Sequence, residues 1–149
     1  MKTTKYLIQG PITASFVALE IEKHASKTNI GAHASFVGQV RADHVNLQIV
    51  SGIEYSAYEE MISKTIKGIK DSLYAQYDDL ICVHIYHSTG VVKVGENSLF
   101  VLVSTGHRKQ AFKAIEDCVE QIKEKLPVWK KELYENGTHK WLGDGENSK

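Results

Sequence analysis

The sequence holds 149 residues, 42% of them hydrophobic and 24% charged, with only 2 Pro, proportions that fit one ordinary globular domain and exclude a disordered chain. Lys plus Arg and Asp plus Glu number 18 each, so no overall field draws the chain onto nucleic acid or an anionic membrane, and any anion site must be a local cluster. The opening MKTTKYLIQGPITASF lacks the apolar run of a signal peptide, and no stretch approaches the roughly 18 apolar residues of a membrane span, which sets a cytoplasmic expectation.

In chain order, Tyr6 and Ile8 alternate in a short strand that Gly10-Pro11 breaks, and Phe16, Leu19, Glu20 and Lys23 then fit a short amphipathic helix. In GAHASFVGQVR, Ala32, Ala34, Phe36 and Val40 fall on one face at period two, and His33, Ser35, Gln39 and Arg41 fall on the other. Arg41 therefore ends a half-buried strand. A polar connection, Ala42 to Asn46, leads to LQIVSGIEYSAY, whose β-branched and aromatic content predicts a second strand. From Glu59 the period changes, and Ile62, Ile66, Ile69, Leu73 and Tyr77 recur at helical spacing on one apolar stripe. LICVHIYHS predicts a third long strand, GVVKVGEN a Gly-bounded turn region, and SLFVLVST a fourth strand.

Another helix starts at Arg108, with Phe112, Ile115, Val119, Ile122 and Leu126 on its stripe, Lys123 off it and Pro127 ending it. VWKKEL and THKWL flank Asn136-Gly137, a strong hairpin signal. Phe36, Met61, Phe112 and Trp129 are assigned to packing, as aromatic and Met residues within apolar patterns usually are. The reading is an α+β fold with a mixed or antiparallel sheet, helices on the sheet and a C-terminal β-hairpin. With no repeat or linker, residues 1–142 make one domain, and 143–149 are expected to be a flexible tail.

Chemistry concentrates in few places. In SLFVLVSTGHRKQAF a strand ends, Gly106 allows a tight turn, and His107-Arg108 opens a helix, where free N–H groups, the helix dipole and a guanidinium fork favour an anion. Lys123 and Lys130 flank the helix-stopping Pro127, so one comes from a helix and the other from the next strand, and the two can converge on one pocket. An ammonium near another cation, or partly desolvated, can act as proton donor or nucleophile near neutral pH. His84 and His87 sit three apart in a strand and face opposite ways, and His24, His33, His44 and His139 are scattered, so no metal is expected. Cys82 and Cys118 lack CxxC spacing and read as reduced, structural thiols, and no GxSxG elbow accompanies Ser104, Thr105 and His107.

Five segments, FVGQVR, EYSAYEEM, VGE, GHRKQAF and IKEKLPVWKKE, followed by Trp141 after the Asn-Gly turn, resemble the large, catalytic subunit of molybdopterin synthase, and the resemblance runs from about Tyr6 to Trp141. It implies an α/β hammerhead-type fold and a homodimer that two small ubiquitin-like subunits complete as a heterotetramer. Each small subunit would bring a C-terminal Gly-Gly thiocarboxylate as sulfur donor. The implied substrate is cyclic pyranopterin monophosphate, sulfurated twice to the dithiolene of molybdopterin, with no further cofactor. By position, Lys123 matches the essential lysine and Lys130 a second functional lysine, while Arg41, His107 and Arg108 match residues that bind the anionic substrate. Gln39 stands where many members carry Lys, and Ser88 where Arg is expected after His87. Two other readings are a non-catalytic module for a phosphate-containing ligand or partner protein, and a persulfide sulfurtransferase using Cys82 or Cys118.

Overall fold

The computed structural model describes residues 4–143, so the expected tail lies, from residue 144 on, outside the described residues. The elements follow as β1 (Leu7–Gln9), α1 (Ala14–Glu22), a 3-10 turn (Lys23–Ser26), β2 (Ala32–Gln39), β3 (His44–Val45), β4 (Gln48–Ser56) and α2 (Glu59–Gln76). They continue as β5 (Leu80–Lys93), β6 (Asn97–Thr105), α3 (Arg108–Lys125), β7 (Trp129–Tyr134) and β8 (His139–Trp141). The strands form one 8-stranded sheet in the order β2-β6-β5-β4-β7-β8, with β1 added to β5 and β3 to β4. The β1–β5 pairing is parallel and the other ladders are antiparallel, which makes the sheet mixed and the fold α+β, as expected.

Strand β5 organises the sheet. Its first part, Leu80 to His87, pairs with β6, and its last part, Gly90 to Lys93, pairs with β4. Gly90 at the changeover has φ +79, a backbone state that costs glycine nothing. The expected turn over GVVKVGEN is therefore mostly strand, and only Val94-Gly95-Glu96 turns. The pairing of Val91–Lys93 with Gly52–Glu54 is a long-range contact that local composition does not reveal. The sequence also missed β3, a two-residue partner of β4 across Asn46 (φ +58) and Leu47, which is too short and polar to show a period.

Two layers of helix cover the sheet. On one face Ile62, Ile66, Ile69 and Leu73 of α2 and Ala114, Cys118 and Ile122 of α3 pack on Val83, Ile85, Val101 and Val103. On the other, Phe16 and Val17 of α1 pack on Ile8, Ile12, Phe100 and Leu102. The α2 stripe is the expected one, with Tyr77 just past the helix as its C-cap. The α3 stripe is rotated from expectation: its buried residues are Ala111, Ala114, Cys118 and Ile122, while Phe112 is 66% exposed. Small side chains let α3 approach the sheet closely, and that outweighs the pull of one large aromatic. Met61 and Trp129, also assigned to packing, are exposed; Phe36 does pack on the core. In α1, Glu20 is buried and Leu19 exposed, and the Thr13 hydroxyl caps the helix by accepting the Phe16 N–H at 3.2 Å.

The C-terminal hairpin forms as read, with Gly137 at φ +86 and its N–H donating to the Tyr134 carbonyl at 3.0 Å. No helix among the described residues is long and apolar enough to cross a membrane. The rotated α3 stripe gives a contrast that urea unfolding can measure. Ala114→Leu should destabilise the chain by about 1–3 kcal/mol through overpacking, whereas Phe112→Ala should stay within about 0.5 kcal/mol of the parent.

Candidate functional site

Three elements converge at one end of the sheet. Arg41 follows the end of β2, Lys123 stands in the last turns of α3, and Lys130 stands on β7, where it pairs with Tyr55 of β4. With α3 ending at Lys125 and β7 starting at Trp129, the chain reverses around Pro127 and returns Lys130 toward Lys123. All three line one cavity of about 110 Å³, together with Gln39, Tyr55, His87, Ser98 and Glu132. Arg41 is steadied by the Asp43 carboxylate, its Nε 3.3 Å from Oδ1 and its fork turned to the second oxygen at 3.4 Å.

The electrostatics of this cavity are unusual for lysines. Burial first, and Lys123 second, bring Lys130 down to about 8. Lys123 is likewise lowered, by burial and then by Arg41; although the residue is exposed overall, its ammonium end is walled in enough for desolvation to be the larger cause. Among the described residues, neither lysine's ammonium has a hydrogen-bond or ion-pair partner from the protein, although the Glu132 carboxylate shares the cavity wall. The arrangement is a half-buried concentration of positive charge.

His87 is the lining residue that sequence reasoning passed over. It is buried, its Nδ1 donates to the Ser88 carbonyl at 2.8 Å, and its ring meets Tyr55 edge-on with centroids 4.9 Å apart. Burial pushes it down to about 4, against the raising effect of the Ser88 carbonyl and with the two lysines helping. It is therefore a neutral imidazole, and with Nδ1 carrying the hydrogen its Nε2 is able to accept a hydrogen bond. In one dimension its spacing bears only on metal ligation, where it faces away from His84, and says nothing of the lysines that meet it. Of the two departures noted in the sequence, Gln39 lines the cavity, whereas Ser88 is fully buried and its Oγ has no hydrogen-bond partner among the described residues.

His107 and Arg108 are not in this cavity. They open α3 while Lys123 lies near its end, roughly 23 Å away along the axis. The helix start is also not an open anion site within the chain: the Asp79 carboxylate accepts the His107 N–H at 2.6 Å and lies 3.2 Å from its Nδ1. The His107 side chain is 89% exposed, and Arg108 is exposed beside it. One chain thus unites Arg41, Lys123 and Lys130, and leaves His107 and Arg108 on an outer surface.

Neither cysteine can serve the cavity. Cys118 is buried in the core, and burial, then Asp117, push its thiol up to about 12. Cys82 lies on the face of β5 opposite to His87, by strand alternation. The histidines are less scattered than the sequence suggested, since His24, His33 and His84 meet on that same opposite face.

The family model described as MoaE protein matches residues 12–125. The molybdopterin synthase catalytic subunit of Drosophila grimshawi is 40% identical over 108 residues, covering 72% of this chain; the chain spans only 30% of that relative's length. The crystal structure of molybdopterin synthase from Staphylococcus aureus superposes with a TM-score of 0.81 at 29% identity, covering 95% of this chain and 99% of that one. The complex of subunits 1 and 2 of the molybdopterin-converting factor from Helicobacter pylori matches with a TM-score of 0.76 at 25% identity, covering 95% and 90% of the two chains.

The lowered Lys130 has a consequence for stability. Below about 8 the folded and unfolded chains both hold the proton, and the folded chain bears the full cost of burying it; that cost fades as pH rises from 8 toward the ordinary 10.5. Lys130→Met should therefore gain on the order of 1–3 kcal/mol in urea unfolding at pH 7, a gain that shrinks steadily toward pH 10.

Proposed function

Because the chain belongs to the MoaE protein family, whose model spans most of it, we propose that it is the catalytic subunit of a molybdopterin synthase. In this reading it moves sulfur from the C-terminal Gly-Gly thiocarboxylate of a small ubiquitin-like subunit onto cyclic pyranopterin monophosphate, forming the dithiolene of molybdopterin. The observation that carries the reading is the meeting of Arg41, Lys123 and Lys130 in one cavity, two of them cations without a protein counter-charge.

Both reactants are anionic, and the cavity suits them. The Arg41 fork holds the cyclic phosphate. Lys130, poised to hold or release its proton near pH 8, neutralises charge as the thiocarboxylate enters and as charge develops on the reacting carbonyl. Lys123, with its neutral form favoured by burial and by Arg41, gives up and regains a proton during sulfur transfer or attacks transiently as an amine. Neutral His87 offers an acceptor without adding a fourth positive charge.

The size of the cavity argues for a second copy. About 110 Å³ in one chain falls short of the roughly 300–1,000 Å³ that a small-molecule site of this class needs. The homodimer that the family resemblance implies supplies what is missing if the partner's His107 and the partner's Arg108 close the pocket over the phosphate, which also accounts for their distance from Lys123 within one chain. Two small subunits then complete a heterotetramer. Their extended tails have an open apolar groove at hand, formed by Tyr58, Trp129 and Trp141 around the start of β7. Two buried, unpaired thiols fit a reducing compartment and the cytoplasmic setting read from the sequence.

Lys123→Ala should leave a folded chain whose molybdopterin formation, assayed with purified thiocarboxylated small subunit, falls by about 100-fold or more; near-normal turnover would refute the assignment. The shared pocket is tested by mixing two inactive variants. Lys123→Ala and Arg108→Ala, unfolded together and refolded, should recover about a quarter of wild-type sites, because each mixed dimer rebuilds one intact pocket. No recovery, with mixed dimers present by mass, would place Arg108 outside the site.

A further inference from the structure

On the face of the sheet away from the cavity, the end of α1 lies over the start of β5. Here His24, Cys82 and His84 bring one donor atom each to within 4.8 Å of one another. We propose that these three side chains form a binding site for a divalent late transition-metal ion of the zinc class, with water in the fourth position. The site is independent of the sulfur-transfer reading and shares no residue with it.

The arrangement has the features of a ligand set. Cys82 and His84 are two apart on β5 and so face the same way, and His24 comes down on them from the 3-10 turn after α1. The Nδ1 of His24 bonds the Glu20 carbonyl at 2.8 Å; a carbonyl only accepts, so Nδ1 carries the hydrogen and Nε2 presents its lone pair inward. A backbone carbonyl fixing the far nitrogen is how metal-bound imidazoles are usually oriented. That Nε2 faces the Nε2 of His84 at 3.0 Å. Around a tetrahedral ion with bonds of about 2.0–2.3 Å, neighbouring donors lie about 3.3–3.6 Å apart, so a small rotation of the rings admits the ion.

Two imidazole nitrogens and a thiolate select a borderline ion such as zinc over magnesium or calcium, which prefer oxygen. Three protein donors leave one position for water. His24 and Cys82 are buried and His84 half-buried, and the exposed Lys27 spans the entrance with its Nζ 3.1 Å from the Cys82 sulfur. Binding therefore swings the Lys27 ammonium off the sulfur. The Cys82 thiol releases its proton to solvent, and His84 moves its own from Nε2 to Nδ1.

The full chain, stripped with chelator, is titrated with Co²⁺ under reducing conditions and then with Zn²⁺. The expected result is one Co²⁺ per chain, with a near-ultraviolet thiolate charge-transfer band and visible bands of tetrahedral strength, both abolished by Zn²⁺. Cys82→Ser should remove the charge-transfer band, and His84→Gln should weaken Zn²⁺ binding by on the order of 100-fold. Should either variant fail to fold, Lys27→Met decides: it changes only an exposed side chain, and removing the competing ammonium should tighten Zn²⁺ binding several-fold. Absence of the charge-transfer band in the parent, its survival in folded Cys82→Ser, or unchanged affinity in Lys27→Met would overturn the site.

Discussion

The structure turns on three cations held together and partly out of water. Arg41, Lys123 and Lys130 come from three separate elements and meet at one half-buried cavity, where burial first, and then Arg41 on Lys123 and Lys123 on Lys130, disfavour the charged ammonium. Left to themselves such groups would part into solvent, and only a rigid frame keeps them together. The frame is the apolar packing of α2 and α3 on the sheet, in which Ile62, Ile66, Leu73, Ala114 and Cys118 are essentially inaccessible. Stability in the core thus sustains instability at the site, a strain that the anionic substrate of the proposed reaction would relieve.

The same frame explains where each functional group falls. β5 changes partner from β6 to β4 between His87 and Gly90, so its middle brings His87 to the boundary between the two pairings. α3 carries basic residues at both ends, but it is one unbroken helix of 18 residues and cannot bring His107 and Lys123 to one point. In the proposed homodimer, a second copy of the chain would bring both ends of this helix to one pocket. Asp79 holds the helix start from within the chain through the His107 N–H and Nδ1, and the His107 side chain stays largely exposed.

Much of this was legible in one dimension because the signals were local. The α2 stripe, the alternation of β2 up to Arg41, the stop at Pro127 that turns Lys130 back toward Lys123, and the Asn136-Gly137 hairpin all follow from spacing or from one residue's backbone preference. What was missed depended on partners distant in sequence. The extension of β5 through Gly90 needed β4, and the rotation of α3 needed the closeness of the sheet, which favoured Ala114 over Phe112. His87 and the meeting of His24 with His84 needed the third dimension outright, since strand position says which face a histidine takes but not what waits there.

The account rests on the two lysines being electrostatically perturbed, and direct titration of their side-chain amines by nitrogen-15 NMR, with assignment by Lys→Arg exchange, measures that state. Lys130 should titrate near 8, Lys123 should lie below the ordinary lysine range, and Arg41→Met should move Lys123 back upward. If both amines titrate near 10.5 with or without Arg41, the cavity does not gather charge as described, and the proposed chemistry loses its physical basis.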